Sequence, residues 1–195
     1  PRSTLSSSSA ASDVYKRQCN HNILNATASI VAAKLNGIKN KDINNALTNY
    51  VGVKRRFSFI GKKNKSFVYD DYAHHPTEIA ATLSAAKSLK NKVIVVFQPH
   101  RYTRTKILIR EFIKVLSKVD YLFLLETYSA GEKIIKCATS KDIYSKILKK
   151  NKNTIYLKNI GDLNQLMKPY TLHQNTIVFM GAGSISSIAK KYLNN

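Results

Sequence analysis

Val93-Ile94-Val95-Val96-Phe97 is an unbroken apolar run, and a strand with that pattern has to be covered on both of its faces. Tyr121 to Leu125 and Thr176 to Met180 read the same way, and a shorter strand fits Thr154 to Leu157. Between them lie stretches of helical spacing. Ile107, Leu108, Phe112, Val115 and Leu116 mark a helix over about 105–117, and others are expected over 141–149, 162–167 and 184–193. Regular alternation of buried strands with helices predicts an α/β fold: a Rossmann-like, doubly wound, mostly parallel sheet with helices on both faces.

Upstream the pattern changes. Phe57, Phe59 and Phe67-Val68-Tyr69 read as two strands around a turn at Gly61-Lys62-Lys63-Asn64. Pro76 is placed to open a helix that continues from Thr77 to Lys90. Earlier still, Ile23, Leu24, Ala28, Val31, Ala32 and Leu35 recur at helical spacing from His21 to Asn36, and a second short helix fits 41–48. A boundary near Tyr50 to Val53 therefore divides a helical part, 19–52, from a larger domain, 53–195. Residues 1–18 are serine-rich and low in complexity, have nothing to bury, and read as a disordered segment of non-native origin. The natural chain is expected to begin further upstream.

The formal charge is +21, yet the lysines are spread over nearly every helix and loop rather than gathered in a tract. That distribution predicts a solvated basic surface and no nucleic-acid partner. No apolar run is long enough to cross a bilayer, and no secretory signal is visible, so no membrane association is expected. Cys19 and Cys137 are too few for a disulfide framework or a metal site, which fits a reducing cytoplasm.

The chemistry gathers at strand ends. Asp70-Asp71-Tyr72-Ala73-His74-His75-Pro76 follows one strand, and Gln98-Pro99-His100-Arg101-Tyr102-Thr103-Arg104 follows the most buried one. In an open α/β sheet, ligands bind outside the carboxyl ends of the strands. Aspartates in such a place suit ribose hydroxyls or a cation. Arg101 and Arg104 would repel each other strongly if dry, so an anion between them, a carboxylate or a phosphate, is the natural compensation. Adjacent His74 and His75 point in different directions and lack the spacing of a zinc helix, so no metal site is expected.

Three further motifs admit two readings each. Asn22 and Asn25 share one side of the first helix, as a carboxamide pair for a purine edge or ribose, or as helix caps. Lys54-Arg55-Arg56 is a basic loop, or carries an arginine for a nucleotide phosphate or ribose. Gly181-Ala182-Gly183-Ser184 resembles a truncated dinucleotide fingerprint, and a tight strand-to-helix turn accounts for it better. No Gly-x-x-x-x-Gly-Lys-Ser/Thr phosphate loop occurs in the sequence.

Taken in order, His21-Asn22-Ile23-Leu24-Asn25-Ala26, Gly52-Val53-Lys54-Arg55-Arg56-Phe57, Asp70 to Ile79, Phe97 to Thr105 and Met180-Gly181-Ala182-Gly183 resemble the C-terminal part of the Mur ligase family. The resemblance implies that 19–52 are the last helices of a central ATP-binding domain and that 53–195 are the Mur ligase C-terminal domain. Its partners would be the missing N-terminal and central domains of its own enzyme.

The implied activity is ATP-dependent amide formation, joining L-alanine to UDP-N-acetylmuramate through an acyl phosphate in peptidoglycan precursor synthesis. Magnesium would be needed, with ligands in the missing central domain, and this chain would be inactive alone. By the same resemblance Asn22, Asn25, Arg56 and Asp71 serve the nucleotide. His74, Arg101 and Arg104 are the catalytic group and hold the amino acid, with Tyr72 and His100 as supporting substrate contacts. The alternatives are a murein-peptide recycling ligase of the same family, which lacks the Pro-His-Arg-Tyr-Thr-Arg pattern seen here, and a basic nucleic-acid-binding module.

Overall fold

The structure, a computed structural model, describes residues 20–50 and 52–194, with side chains from residue 23 onward. The expectation for 1–18 lies outside the described residues. Two compact units divide after Val53. The smaller holds two helices, α1 (Asn20–Leu35) and α2 (Asn40–Thr48). Ile23, Leu24, Val31 and Leu35 of α1 are exposed, so its apolar side chains are largely uncovered within the unit.

The larger unit is built on a six-stranded sheet in the order β1-β2-β6-β3-β4-β5. Its strands are β1 (Ser58–Lys63), β2 (Ser66–Asp71), β3 (Val93–Phe97), β4 (Tyr121–Leu125), β5 (Thr154–Leu157) and β6 (Thr176–Met180). All pairings are parallel except that of β1 with β2. The helices are α3 (Pro76–Ser88), α4 (Tyr102–Leu116), α5 (Ser140–Ile147), α6 (Leu163–Thr171) and α7 (Ile185–Asn194).

Two faces need two layers of helix. Val93 to Phe97 are all fully buried, so residues alternate between the layers. Ile94 and Val96 join Phe123, Ile177 and Phe179 in a core closed by Leu163 and Met167 of α6 and by Ile185, Ala189 and Tyr192 of α7. On the other face α3 lies on β3 and β6, α5 lies on β4 and β5, and Phe97 meets Phe112 of α4 with ring centroids 5.7 Å apart.

Two readings of the sequence are corrected. Gly61, Lys62 and Lys63 are not turn residues but belong to β1, where the register shifts between Phe59 and Gly61. The reversal falls at Asn64, whose φ of 51° the short carboxamide side chain tolerates. The helix expected from 105 starts at Tyr102, so Arg104 sits in its first turn rather than in a loop. Arg101, at φ 71°, turns the chain into that helix.

The connections place β6 between β2 and β3, so the crossovers diverge around that strand. Asp71 pairs with Met180, and Phe97 pairs with Met180 and Leu124. The carboxyl ends of β2, β6, β3 and β4 are therefore level, and the loops that follow them share one end of the sheet.

Candidate functional site

Below the loop after β2 lies Asp71, which is 4% exposed. Its two carboxylate oxygens accept from the backbone N–H groups of Phe57 and Ala73, each at 2.6 Å. Burial pushes this carboxyl up, and the hydrogen bonds pull it part of the way back. A carboxylate so occupied ties the entry to β1 to the end of β2. The expectation of direct nucleotide contact meets a group whose oxygens already hold protein donors.

Neighbouring Asp70 faces the other way. It accepts from the Ser186 hydroxyl at the start of α7 and pairs with Arg55 at 3.7 Å. Arg55 also donates to the Gly181 carbonyl at 2.7 Å, and its guanidinium carbon lies 4.6 Å from the centre of the Tyr72 ring. It is Arg55, not Arg56, that is built into the sheet. Arg56 remains half-exposed, 3.8 Å from the Glu78 carboxylate and 5.9 Å from the Tyr72 ring, free to reach a ligand.

The adjacent histidines have different jobs. His75 is the N-cap of α3: its Nδ1 accepts from the Thr77 N–H at 3.3 Å, and Glu78 closes a capping box from the third helical position. His74 faces the site, with Nδ1 2.9 Å from the Tyr72 carbonyl and 3.4 Å from Glu78. Glu78 also accepts from the backbone N–H groups of His74 and His75 at 3.1 and 3.2 Å. Burial works to raise its carboxyl, and those donors outweigh it and hold the group below the ordinary glutamate range. Sequence reasoning missed Glu78, although its spacing from His75 is that of a capping box.

From His74 the aromatic surface continues across the sheet. His74 stands 5.2 Å from Tyr72 and 6.0 Å from His100, and His100 lies flat on Tyr128 at 5.4 Å with 12° between planes. The four rings form a ledge over the ends of β2, β3 and β4. The Arg104 guanidinium borders it, 3.3 Å from His100 Nδ1 and 3.4 Å from the His100 carbonyl. Arg101, beside it, is exposed. Burial, and then the neighbouring Arg104 and Arg101 guanidiniums, hold the His100 imidazole below the usual histidine range.

No motif marks the loop after β4, so the sequence alone does not point to Tyr128. Its backbone knits that loop to the one after β3: Tyr128 N–H donates to the Pro99 carbonyl at 2.8 Å, and Arg101 N–H donates to the Tyr128 carbonyl at 2.9 Å. The glycines after β6 make room beneath. A Cβ on Gly183 would stand 2.6 Å from the Tyr128 ring, and one on Gly181 would stand 2.7 Å from the Gln98 carbonyl. Close approach thus accounts for both glycines, with the segment serving as the turn from β6 into α7.

Asn25 is exposed and lies inside α1, too far from its start to cap it. The Asn22 side chain lies outside the described residues. Asn25 belongs to the smaller unit. Among the described residues no cluster of three or more His, Cys, Asp or Glu could hold a metal ion. No helix among them is long and apolar enough to cross a membrane.

A parallel sheet entered through an antiparallel hairpin gathers arginines and histidines on level strand ends, the place where open α/β sheets take their ligands. Residues 55–183 match the family model described as Mur ligase, glutamate ligase domain, and the chain belongs to the Mur ligase family. A UDP-N-acetylmuramate--L-alanine ligase of Carboxydothermus hydrogenoformans is 42% identical over 178 residues, taking in 89% of this chain and 38% of that protein. Its counterpart in Wigglesworthia glossinidia brevipalpis is 40% identical over 183 residues, 88% of this chain and 38% of that protein. The solved UDP-N-acetylmuramate-alanine ligase of Thermotoga maritima superposes with a TM-score of 0.73 at 29% identity, covering 90% of this chain and 37% of that one. The chain thus spans less than two fifths of the length of these relatives.

Proposed function

We propose that this chain is the C-terminal portion of an ATP-dependent ligase that joins L-alanine to UDP-N-acetylmuramate. The observation that carries the reading is the arginine-bordered ring ledge, in which His74, His100, Arg101 and Arg104 converge from two strand ends. The names of the relatives supply the substrates. In this reading Arg101 and Arg104 hold the amino-acid carboxylate. His74, kept in place by Tyr72 and Glu78, faces the same ligand, and Tyr72 and His100 line its surroundings. Arg56, Asn22 and Asn25 serve the nucleotide. Asp71 serves it indirectly, by fixing the loop that presents Arg56 and Tyr72.

ATP supplies the phosphoryl group that activates the muramyl carboxylate. Everything this chain contributes is positioning and charge stabilisation around a crowded anionic centre. Among the described residues no three His, Cys, Asp or Glu gather to hold a metal ion, and the sequence has no phosphate loop. The proposal therefore puts phosphate activation in the portion of the relatives that this chain does not span, and puts the work in the cytoplasm without membrane or nucleic-acid partners.

The test is phosphate release by a full-length enzyme ending in this chain. Release that requires both L-alanine and UDP-N-acetylmuramate supports the reading. Release with a murein peptide but not with free L-alanine would move it to the recycling ligase. No release with either would overturn it.

A further inference from the structure

The helix that carries Arg104 begins against electrostatic preference. Arg101 is its N-cap residue and makes no side-chain capping bond, and there is no acidic residue in the first turn. Two arginines thus stand at the end of α4 where the helix dipole is positive and where backbone N–H groups need acceptors. A Ser, Thr, Asp or Asn at the N-cap would satisfy one of those donors. This helix has surrendered that position to a guanidinium.

The missing acceptor comes from another loop. Glu132 Oε2 accepts from the Thr103 N–H at 3.0 Å, and Oε1 accepts from the Thr103 hydroxyl at 2.6 Å. Thr103 is the second helical residue, so its N–H is one that an N-cap side chain ordinarily takes. Glu132 is delivered there by a tight turn. Its N–H donates to the Ser129 carbonyl at 3.1 Å, and Ala130 and Gly131 both have left-handed φ, 52° and 85°. The same loop is stitched to Pro99 and Arg101 through the Tyr128 backbone, so Glu132 and Tyr128 hold the arginine segment from both ends.

We propose that Glu132 is a positioning residue, capping α4 from outside the helix so that Arg101 and Arg104 can both face an amino-acid carboxylate. The substrate named here rests on the ligase reading above. The cap itself does not. With the cap in place, α4 keeps a complete first turn while its own N-cap position carries a ligand-facing arginine. The hydrogen bonds from Thr103 also hold the Glu132 carboxyl below its ordinary range.

Two measurements test this. In the 195-residue chain, the Thr103 amide signal is expected to shift with a carboxyl titration centred below the ordinary glutamate range, and to lose that shift in Glu132→Gln. A Thr103 amide indifferent to acid would overturn the cap, whatever the enzyme does. In the full-length ligase, Glu132→Ala is expected to raise the KM for L-alanine about tenfold while the KM for ATP stays within about twofold, and Glu132→Gln to fall between. An equal change in both constants, or none, would overturn the positioning role and leave the ligase reading standing. A wild-type enzyme that releases no phosphate with L-alanine would instead overturn the ligase reading, and with it the substrate assigned to the arginine pair.

Discussion

The imidazole of His100 rests on the phenol ring of Tyr128, planes 12° apart, and the same tyrosine covers the bare Cα of Gly183. One ring thereby couples the loops after β3, β4 and β6. Removing it with Tyr128→Ala should cost about 0.5–1.5 kcal/mol, the usual worth of such a pair beyond its buried area. For a chain of this size that lowers the thermal midpoint by a few degrees. A midpoint unchanged in calorimetry would mean that the stack holds nothing together.

Gly183→Ala attacks the same contact from below, since its Cβ would meet the ring at 2.6 Å. The two substitutions share one interaction, so their effects should not add. A double-mutant cycle by urea unfolding is expected to give a coupling of about 0.5 kcal/mol or more. Simple additivity would show that the glycine is needed for something other than the tyrosine.

Asp71 offers a sharper stability test. Asp71→Asn keeps one acceptor and sets an N–H₂ group against a backbone N–H that now donates to a carboxylate oxygen at 2.6 Å. One buried donor left without a partner costs about 1–3 kcal/mol, and removing a charge that burial disfavours offsets part of that. Urea unfolding of the chain should shift by about 2 kcal/mol. A variant as stable as wild type would restore direct ligand contact as the reason for this carboxylate.

Arg101→Ala, in a full-length enzyme, should impair use of L-alanine far more than binding of ATP. A lost charge-assisted hydrogen bond corresponds to about a tenfold to hundredfold rise in the KM for the amino acid. Steady-state kinetics with each substrate varied in turn would read it. Equal loss for both would argue against a carboxylate clamp.

His100 contributes to the pH dependence of stability. Its imidazole is held below the usual histidine range, so between that range and its folded value the unfolded chain binds more protons than the folded one. Stability contributed by this site is therefore full above the usual histidine pKa and declines as pH falls through it. His100→Gln should flatten the loss of stability on acidification below about pH 6.5. Urea midpoints at several pH values would show the slope, and an unchanged slope would put the acid sensitivity elsewhere.

The strands of the main sheet were legible because burial on both faces leaves no room for polar residues, as Val93 to Phe97 display. Local rules failed where the stabilising partner is distant in sequence. Local spacing sets the start of α4 three residues late because Arg101 carries no capping signal and the acceptor for the Thr103 N–H lies at Glu132. Gly61 reads locally as a turn residue, whereas it lies at a register shift within β1, where an added Cβ would stand 3.1 Å from the Leu193 side chain. At the site, His74, His100, Arg101 and Arg104 could be chosen by residue type and strand context. Tyr128 and Glu132 could not, since their roles come from two loops meeting in space. Arg55 and Arg56 are indistinguishable in sequence, and only the fold gives Arg55 its contacts with Asp70 and the Gly181 carbonyl.

The irregular first strand has a bearing on how this molecule behaves in a crowd. A flat sheet rim invites strands from other copies to dock and propagate into aggregates. Here one rim is β1, interrupted between Phe59 and Gly61 and ending in Lys62 and Lys63. The other is the four-residue β5, flanked by Lys152 and Lys158. Both margins are short, broken or positively charged, so the cationic excess spread over the surface discourages the chain from templating its own kind.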